Sequence, residues 1–197
     1  MSNNNIKDYL QKYFNDVSEE TVEVFSSIIT SKKFHKGNTI IEQNKPTDKF
    51  YVLKSGLVGS FVKNEDNNGF IRTLYTKGNA FGALSSLIKD SIANASYECL
   101  TNCDVLEADF KDFIKLKETN RDFDILYNKV LEETYLRSEK KMDDLCLLDA
   151  KDRYLKLIRE IPKITNFLPQ YQIANYLSIT PVQLSRIRKK LTKEELE

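Results

Sequence analysis

Six basic side chains, Lys163, Arg186, Arg188, Lys189, Lys190 and Lys193, fall in a stretch of the 197-residue chain that holds no Asp or Glu. A solvated helix face normally mixes signs, so a one-signed stretch points to a polyanion held by phosphate contacts. From Ala150 onward ten basic residues stand against five acidic ones, a net of +5, which leaves −4 on residues 1–149 of a chain whose total is +1. A mildly acidic body with a basic end suits a nucleic-acid reader joined to a control module. Other chemistries lack their residues. His35 is the sole histidine, and nothing near it resembles a hydrolase triad or a catalytic zinc site. Cys99 and Cys103 could supply half of a metal site, but no second ligand pair accompanies them. With Cys146 they make an odd set without a disulfide framework, which reads as reduced thiols. No catalytic residue and no metal ligand is assigned, and an enzyme is not expected.

The basic residues need a scaffold, and residues 168–191 supply one. Pro169 suits a first helical turn. Ile173, Ala174 and Leu177 share one face of a short helix, and Ser178 and Ile179 make a tight turn. Thr180 then offers a hydroxyl N-cap with Pro181 at the first helical position. Leu184, Ile187 and Leu191 recur at spacings of three and four and face inward. Val182, Gln183, Ser185, Arg186, Lys189 and Lys190 are left outside. A helix with a polar, basic outer face, held by a small partner helix, fits the major groove of double-stranded DNA. Arg186 suits guanine O6 and N7, with Gln183 and Ser185 as secondary base readers. Thr180, Arg188, Lys189 and Lys190 suit phosphates.

Upstream, residues 4–31 read as helical, with Ser18 starting a second amphipathic helix that carries Val22, Phe25, Ile28 and Ile29. From Lys32 to Phe110 the pattern becomes short strands: 39–41, 50–53, 57–62, 70–75, 97–100 and 105–108. A hairpin turn is expected at Glu65-Asp66-Asn67-Asn68-Gly69, where Asn-Gly is the local signal. So many short strands indicate a sandwich or rolled barrel. Between them, small residues from Phe81 to Ala95 surround one or two helical turns at Leu84, Leu87 and Ile88. Phe110, Phe113 and Ile114 form a short helix, and 120–145 one long helix without Gly or Pro. On it Tyr127, Leu131, Tyr135, Ser138 and Met142 follow a three/four alternation, a stripe suited to a second copy of itself. Apolar residues make up 41% of the chain, but no run approaches the ~18 needed to span a membrane. The first residues lack the apolar centre of a signal peptide. A cytoplasmic protein without membrane contact is the expectation.

In this order, helices, β-roll, long helix and helix-turn-helix, the chain resembles the Crp/Fnr (catabolite activator) family of bacterial transcription regulators. Gly37, Ile40-Ile41-Glu42-Gln43, Asp48, Tyr51, Leu53, Ser55-Gly56 and Val58 resemble the family's opening roll, with Asn44 where glycine is commoner. Phe81-Gly82 resembles the start of its phosphate-binding cassette. The resemblance implies an α+β fold: a cyclic-nucleotide-binding-like jelly roll with flanking helices (1–118), a dimerisation helix (119–148) and a helix-turn-helix domain (149–197). It also implies a homodimer, double-stranded DNA as target and RNA polymerase as partner.

The departures bear on the ligand. In cyclic-nucleotide-binding members a glutamate follows the cassette glycine and holds the ribose, and a later arginine neutralises the phosphate. Here Ala83 and Ala93 stand at those positions, and Lys89 is the nearest basic residue in the loop. The pocket of Phe81, Gly82, Ala83, Leu84, Ala93 and Asn94 is therefore not expected to take cyclic AMP, because a buried phosphate without a cation is poorly compensated. A different small-molecule effector, or none, is left open. Cluster-sensing members use cysteines near the N-terminus, which this chain lacks, and His35 alone could ligate a haem. The family's β-hairpin wing after the recognition helix is expected to be absent, and Pro181-Val182 replace the Arg-Glu pair with which other members read bases. The alternative reading is a small-molecule-binding signalling module that acts through a protein partner rather than DNA.

Overall fold

The computed structural model describes residues 3–63 and 69–194. The expected turn at Glu65–Asn68 lies outside the described residues, as do the last three, on which the expected absence of a wing turns.

Two helices open the chain, α1 (Asn3–Gln11) and α2 (Glu19–Ile28). Ser18 caps α2: its Oγ accepts the Thr21 N–H at 3.0 Å, and Glu19 and Glu20 favour the positive end of the helix dipole. Such a cap is worth about 1 kcal/mol. The expected second helix overruns its true end. Ile29–Phe34 is strand β1, paired antiparallel with Cys103–Ala108. Ile28 and Ile29 satisfy helical spacing, but Ile29 is buried in the sheet opposite Ala108, and tertiary pairing decides the matter.

The roll comprises β2 (Thr39–Ile41), β3 (Lys49–Ser55), β4 (Val58–Lys63), β5 (Gly69–Tyr75), β6 (Ala80–Phe81), β7 (Ser96–Cys99) and β8 (Cys103–Asp109). They form two antiparallel four-stranded sheets, ordered β1-β8-β3-β6 and β2-β7-β4-β5. The two-residue β6 carries no signal of its own and exists because Tyr51 and Val52 pair with Phe81 and Ala80. Two tight turns explain residue choices. Gly56 takes φ +100°, and a Cβ there would lie 2.4 Å from the Asn102 carbonyl oxygen. Asn44, standing where glycine is commoner in the family, takes φ +65°, a conformation Asn adopts more readily than most residues.

Helix α3 (Leu84–Lys89) sits inside the roll's loop, and α4 (Phe110–Thr119) leads to α5 (Arg121–Leu147), a helix of 27 residues capped by Asn120. Only Phe123 and Leu126 of α5 are fully buried. They join Ile6, Leu10, Phe25 and Phe113 in one core. A second core fills the roll around Leu53, Phe81, Tyr97 and Val105.

The C-terminal part contains α6 (Ala150–Glu160), α7 (Ile164–Phe167), α8 (Gln170–Tyr176) and α9 (Pro181–Glu194). It is not set apart from the roll. Leu57, Phe61, Ile71, Leu74 and Leu100 share a third core with Leu157, Ile173, Ala174, Leu177 and Leu184. Fully burying each such aliphatic side chain is worth about 1.5–3 kcal/mol.

Candidate functional site

Helices α8 and α9 form the expected pair, and each joint has a local cause. Helix α8 ends in a Schellman turn: Ser178 takes φ +55°, Ile179 N–H donates to the Ala174 carbonyl and Ser178 N–H to that of Asn175, both at 3.0 Å. Helix α9 starts in a capping box. Gln183 N–H donates to Thr180 Oγ1 at 3.1 Å, and Gln183 Oε1 accepts the Thr180 N–H at 2.9 Å. Threonine followed three residues later by glutamine is the signal for this reciprocal cap, and Gln183 thus has a structural task besides its expected one. Inside, Ile173, Ala174, Leu177 and Leu184 are buried, while Ile187 and Leu191 are half-buried. Outside, Thr180, Gln183, Arg186, Lys189 and Lys190 are exposed; Ser185 is half-buried, less outward than the spacing alone places it, and Arg188 is half-buried too. Arg153 on α6 braces the turn, its Nε donating to the Leu177 carbonyl at 3.2 Å.

A cavity of about 1050 Å³ lies where the roll, α5 and the C-terminal helices meet. Of the pocket residues expected from sequence, Phe81, Gly82, Leu84 and Asn94 line it. Ala83 and Ala93, 1% and 0% exposed, belong to the roll's core behind it and do not reach the cavity. Tyr75, Phe81 and Tyr97 form an aromatic wall, with Phe81 centred 5.4 Å from Tyr75 and 5.9 Å from Tyr97. The Tyr97 hydroxyl donates to the Gly82 carbonyl at 2.7 Å, which fixes the cassette turn. Lys89 is exposed at the end of α3, away from the cavity. Instead, cations come from β5, α5 and α6, with Arg72, Arg137, Lys140, Lys141 and Lys156 all on the wall. The cassette could not reveal them, since they lie on elements remote from it in sequence. The one hint was Arg137 and Lys141, four residues apart on one helix face.

Glu133 of α5 anchors that helix to the turn that follows α1. It pairs with Lys12 at 2.7 Å and Arg137 at 2.8 Å, and accepts the Tyr13 hydroxyl at 2.7 Å. Burial pushes its carboxyl up, but the hydrogen bonds from Lys12 and Tyr13 and the charges of Lys12 and Arg137 outweigh this and hold it below its ordinary value. A depressed acid stabilises the fold above its unfolded-state pKa, and the contribution fades as pH falls through the folded one. Glu133→Gln should therefore cost most near neutrality and least in acid. Urea midpoints of both proteins from about pH 7 to about pH 3 check this; a constant difference would count against the ion cluster.

Along α5, Tyr135 and Met142 are 67% and 66% exposed, joined by Leu136, Leu145 and Leu147. Ser138 is also exposed, whereas Leu131 is half-buried beside the cavity. Tyr127 is half-buried and packs on Phe113, so much of its ring is already used within its own chain. Single exposed apolar residues are normal, but Tyr135, Met142 and Leu145 recur at spacings of seven and three and so share one side of α5. Among the described residues no cluster of potential metal ligands occurs, and no helix is long and apolar enough to cross a membrane.

An antiparallel double-sheet roll, a long connecting helix and a helix-turn-helix sharing its core define a class: a cyclic-nucleotide-binding-type roll coupled to a helix-turn-helix. Residues 31–120 match the cyclic nucleotide-binding domain family. The cAMP-activated global transcriptional regulator CRP of Pasteurella multocida is 23% identical over 146 residues, 74% of this chain and 70% of that protein. In fold, the chain is similar to the c-di-GMP responsive global regulator CLP of Xanthomonas campestris, with a TM-score of 0.69 at 18% identity over 91% of this chain and 94% of that one. A Crp/Fnr-family protein from Eubacterium rectale gives 0.72 at 15% identity, over 93% and 88%. In sequence and in fold the chain is thus similar to transcription regulators of the Crp/Fnr type.

Proposed function

We propose that the chain is a dimeric, sequence-specific DNA-binding transcription regulator whose roll has lost the residues that hold cyclic AMP in its relatives. The observation that carries this reading is the outer face of α9. Arg186, Lys189 and Lys190 are exposed on a helix anchored by buried Leu184, in a stretch without carboxylates. In this reading two copies of α9 enter successive major grooves, so the target is a pseudo-palindrome. Arg186 reads a base. Gln183, its oxygen committed to the cap, offers its amino group, and Ser185 contributes at the helix flank. Thr180, Arg188, Lys189 and Lys190 hold phosphates. The exposed line on α5 joins the two copies, with Tyr135, Ser138 and Met142 at its centre and Leu131 and Tyr127 at its edge. The functional division runs 1–118, 119–148 and 149–197, and RNA polymerase is the partner such a regulator addresses.

Selection from random duplexes over a salt series tests the reading. A selected palindromic motif, with affinity that falls as salt rises, is expected. No motif and no salt dependence would turn the assignment to a module acting through a protein partner. Arg186→Ala should cost about 1–3 kcal/mol and relax one position of the motif. Lys189→Ala should weaken every sequence alike and flatten the salt slope. An Arg186→Ala protein with unchanged sequence preference would remove the base-reading role.

A further inference from the structure

The roll contains two thiols that the regulator reading does not use. Cys99 ends β7 and Cys103 opens β8, in opposite sheets, and only Leu100, Thr101 and Asn102 join them. Both are 2% exposed and lie in the same core. They share a hydrogen bond, which holds the proton on Cys99, where burial acts in the same direction. The same bond pushes the Cys103 thiol below its ordinary range, against the effect of burial. Gly56 leaves room for the pair, since a Cβ there would lie 2.7 Å from Cys103 Sγ. The turn between the thiols also grips Leu57 on both sides. Leu57 N–H donates to Thr101 Oγ1 at 2.9 Å. Its carbonyl accepts the Leu100 N–H at 2.8 Å and the Cys103 thiol at 3.4 Å. Leu57 and Leu100 belong in turn to the third core, with Ile173 and Ala174 of α8 and Leu184 of α9. The thiol pair is therefore one residue away from the packing that supports the helix-turn-helix.

We propose that Cys99 and Cys103 are an oxidisable pair that hydrogen peroxide closes to a disulfide, and that closure repacks the third core beneath α8. The inference goes beyond the regulator reading and does not depend on it. The Cys103 sulfur attacks one peroxide oxygen; the S–O bond forms as the O–O bond breaks, and the departing hydroxide leaves as water with the Cys103 proton. The Cys99 sulfur then attacks the sulfenic sulfur; the S–S bond forms as the S–O bond breaks, and the hydroxyl leaves as a second water with the Cys99 proton. Two thiols are oxidised and one peroxide is reduced. Closure draws the sulfurs to about 2.05 Å and removes the S–H that bonds the Leu57 carbonyl. Leu57 and Leu100, held by the same turn, shift together, and the contacts they make under α8 shift with them. The pair lies one residue inside exposed Asn102, which suits a small oxidant. Cys146, exposed on α5, takes no part.

Mass spectrometry of the full chain after exposure to hydrogen peroxide tests the pair. Trypsin leaves both thiols on one peptide, residues 90–111, separate from Cys146. That peptide should lose two hydrogens and cease to take up an alkylating reagent in denaturant, and a reductant should reverse both changes. Cys146→Ser should form the same bridge. Cys99→Ser should stop at a sulfenic acid on Cys103, which dimedone captures, and Cys103→Ser should not react at this peptide. Amide hydrogen exchange in α8 should quicken by about tenfold in the oxidised parent and stay unchanged in peroxide-treated Cys103→Ser. Melting curves establish that each variant is folded, and if one is not, the parent's peptide mass and exchange decide. The proposal is overturned if peptide 90–111 keeps both hydrogens at millimolar peroxide, if the bridge formed joins Cys146, or if the bridge forms and exchange in α8 does not move. None of these outcomes alters the duplex selection, which judges the regulator reading separately.

Discussion

Leu184→Ala should lower the free energy of unfolding by about 2–5 kcal/mol, the range for a buried leucine whose cavity cannot fully collapse. Leu184 is 0% exposed. It sits at the first inward position of α9, one residue beyond the reciprocal cap of Thr180 and Gln183. Its neighbours include Ala174, also 0% exposed, and aliphatic residues of the roll. A small residue there leaves α8 and α9 in close approach, with little slack to refill a void. Because the cluster joins the roll to the C-terminal helices, the loss should appear in the global transition followed by circular dichroism in urea, not as early fraying of the last helix. A change below about 0.5 kcal/mol would show that this core contributes little. DNA affinity should fall with it, since the basic face of α9 is oriented only by what lies beneath.

Replacing Tyr135 and Met142 together by glutamate should convert a dimer into a monomer and reduce operator affinity by about 100-fold or more, because each half-site then binds alone. Both side chains are about two-thirds exposed on one chain, seven residues apart on α5, with exposed Leu145 three further on. That spacing is a coiled-coil seam, and two carboxylates in a seam face two more across it. Stability of the single chain should hardly change, since neither residue packs on its own core, and this separates the dimer effect from misfolding. Sedimentation at micromolar concentration distinguishes the outcomes. A parent protein that sediments at 22.9 kDa, or a double variant that remains dimeric, would place the interface elsewhere.

How far these sites could be read from sequence depended on whether their determinants were local. The helix-turn-helix was legible because each part of its signal lies within a few residues: the inward spacing of Leu184, Ile187 and Leu191, and the Thr180 cap. Ser18 announced α2 in the same way. Strand β1 was misread, since Ile28 and Ile29 fit a helical face as well as a strand and only pairing with β8 decides between them. Strand β6 was invisible because two residues have no period. The cavity was half legible. Phe81-Gly82 marked its cassette, yet its cations include Arg72 and Lys141, 69 residues apart, which only the packing of α5 across the roll brings together.

The third core has a consequence for how such proteins can change over time. Leu57, Phe61, Ile71, Leu74 and Leu100 of the roll are covered by the same helices that present α9. Severing the chain after Leu148 would bare an apolar face on each fragment, and each would be prone to association. The reading head is thus not an interchangeable cassette. A chimera grafting it onto a related roll would need matching apolar residues at those five places, and a substitution on either side would favour a compensating one on the other. Roll and helix-turn-helix should therefore tolerate exchange only as a pair.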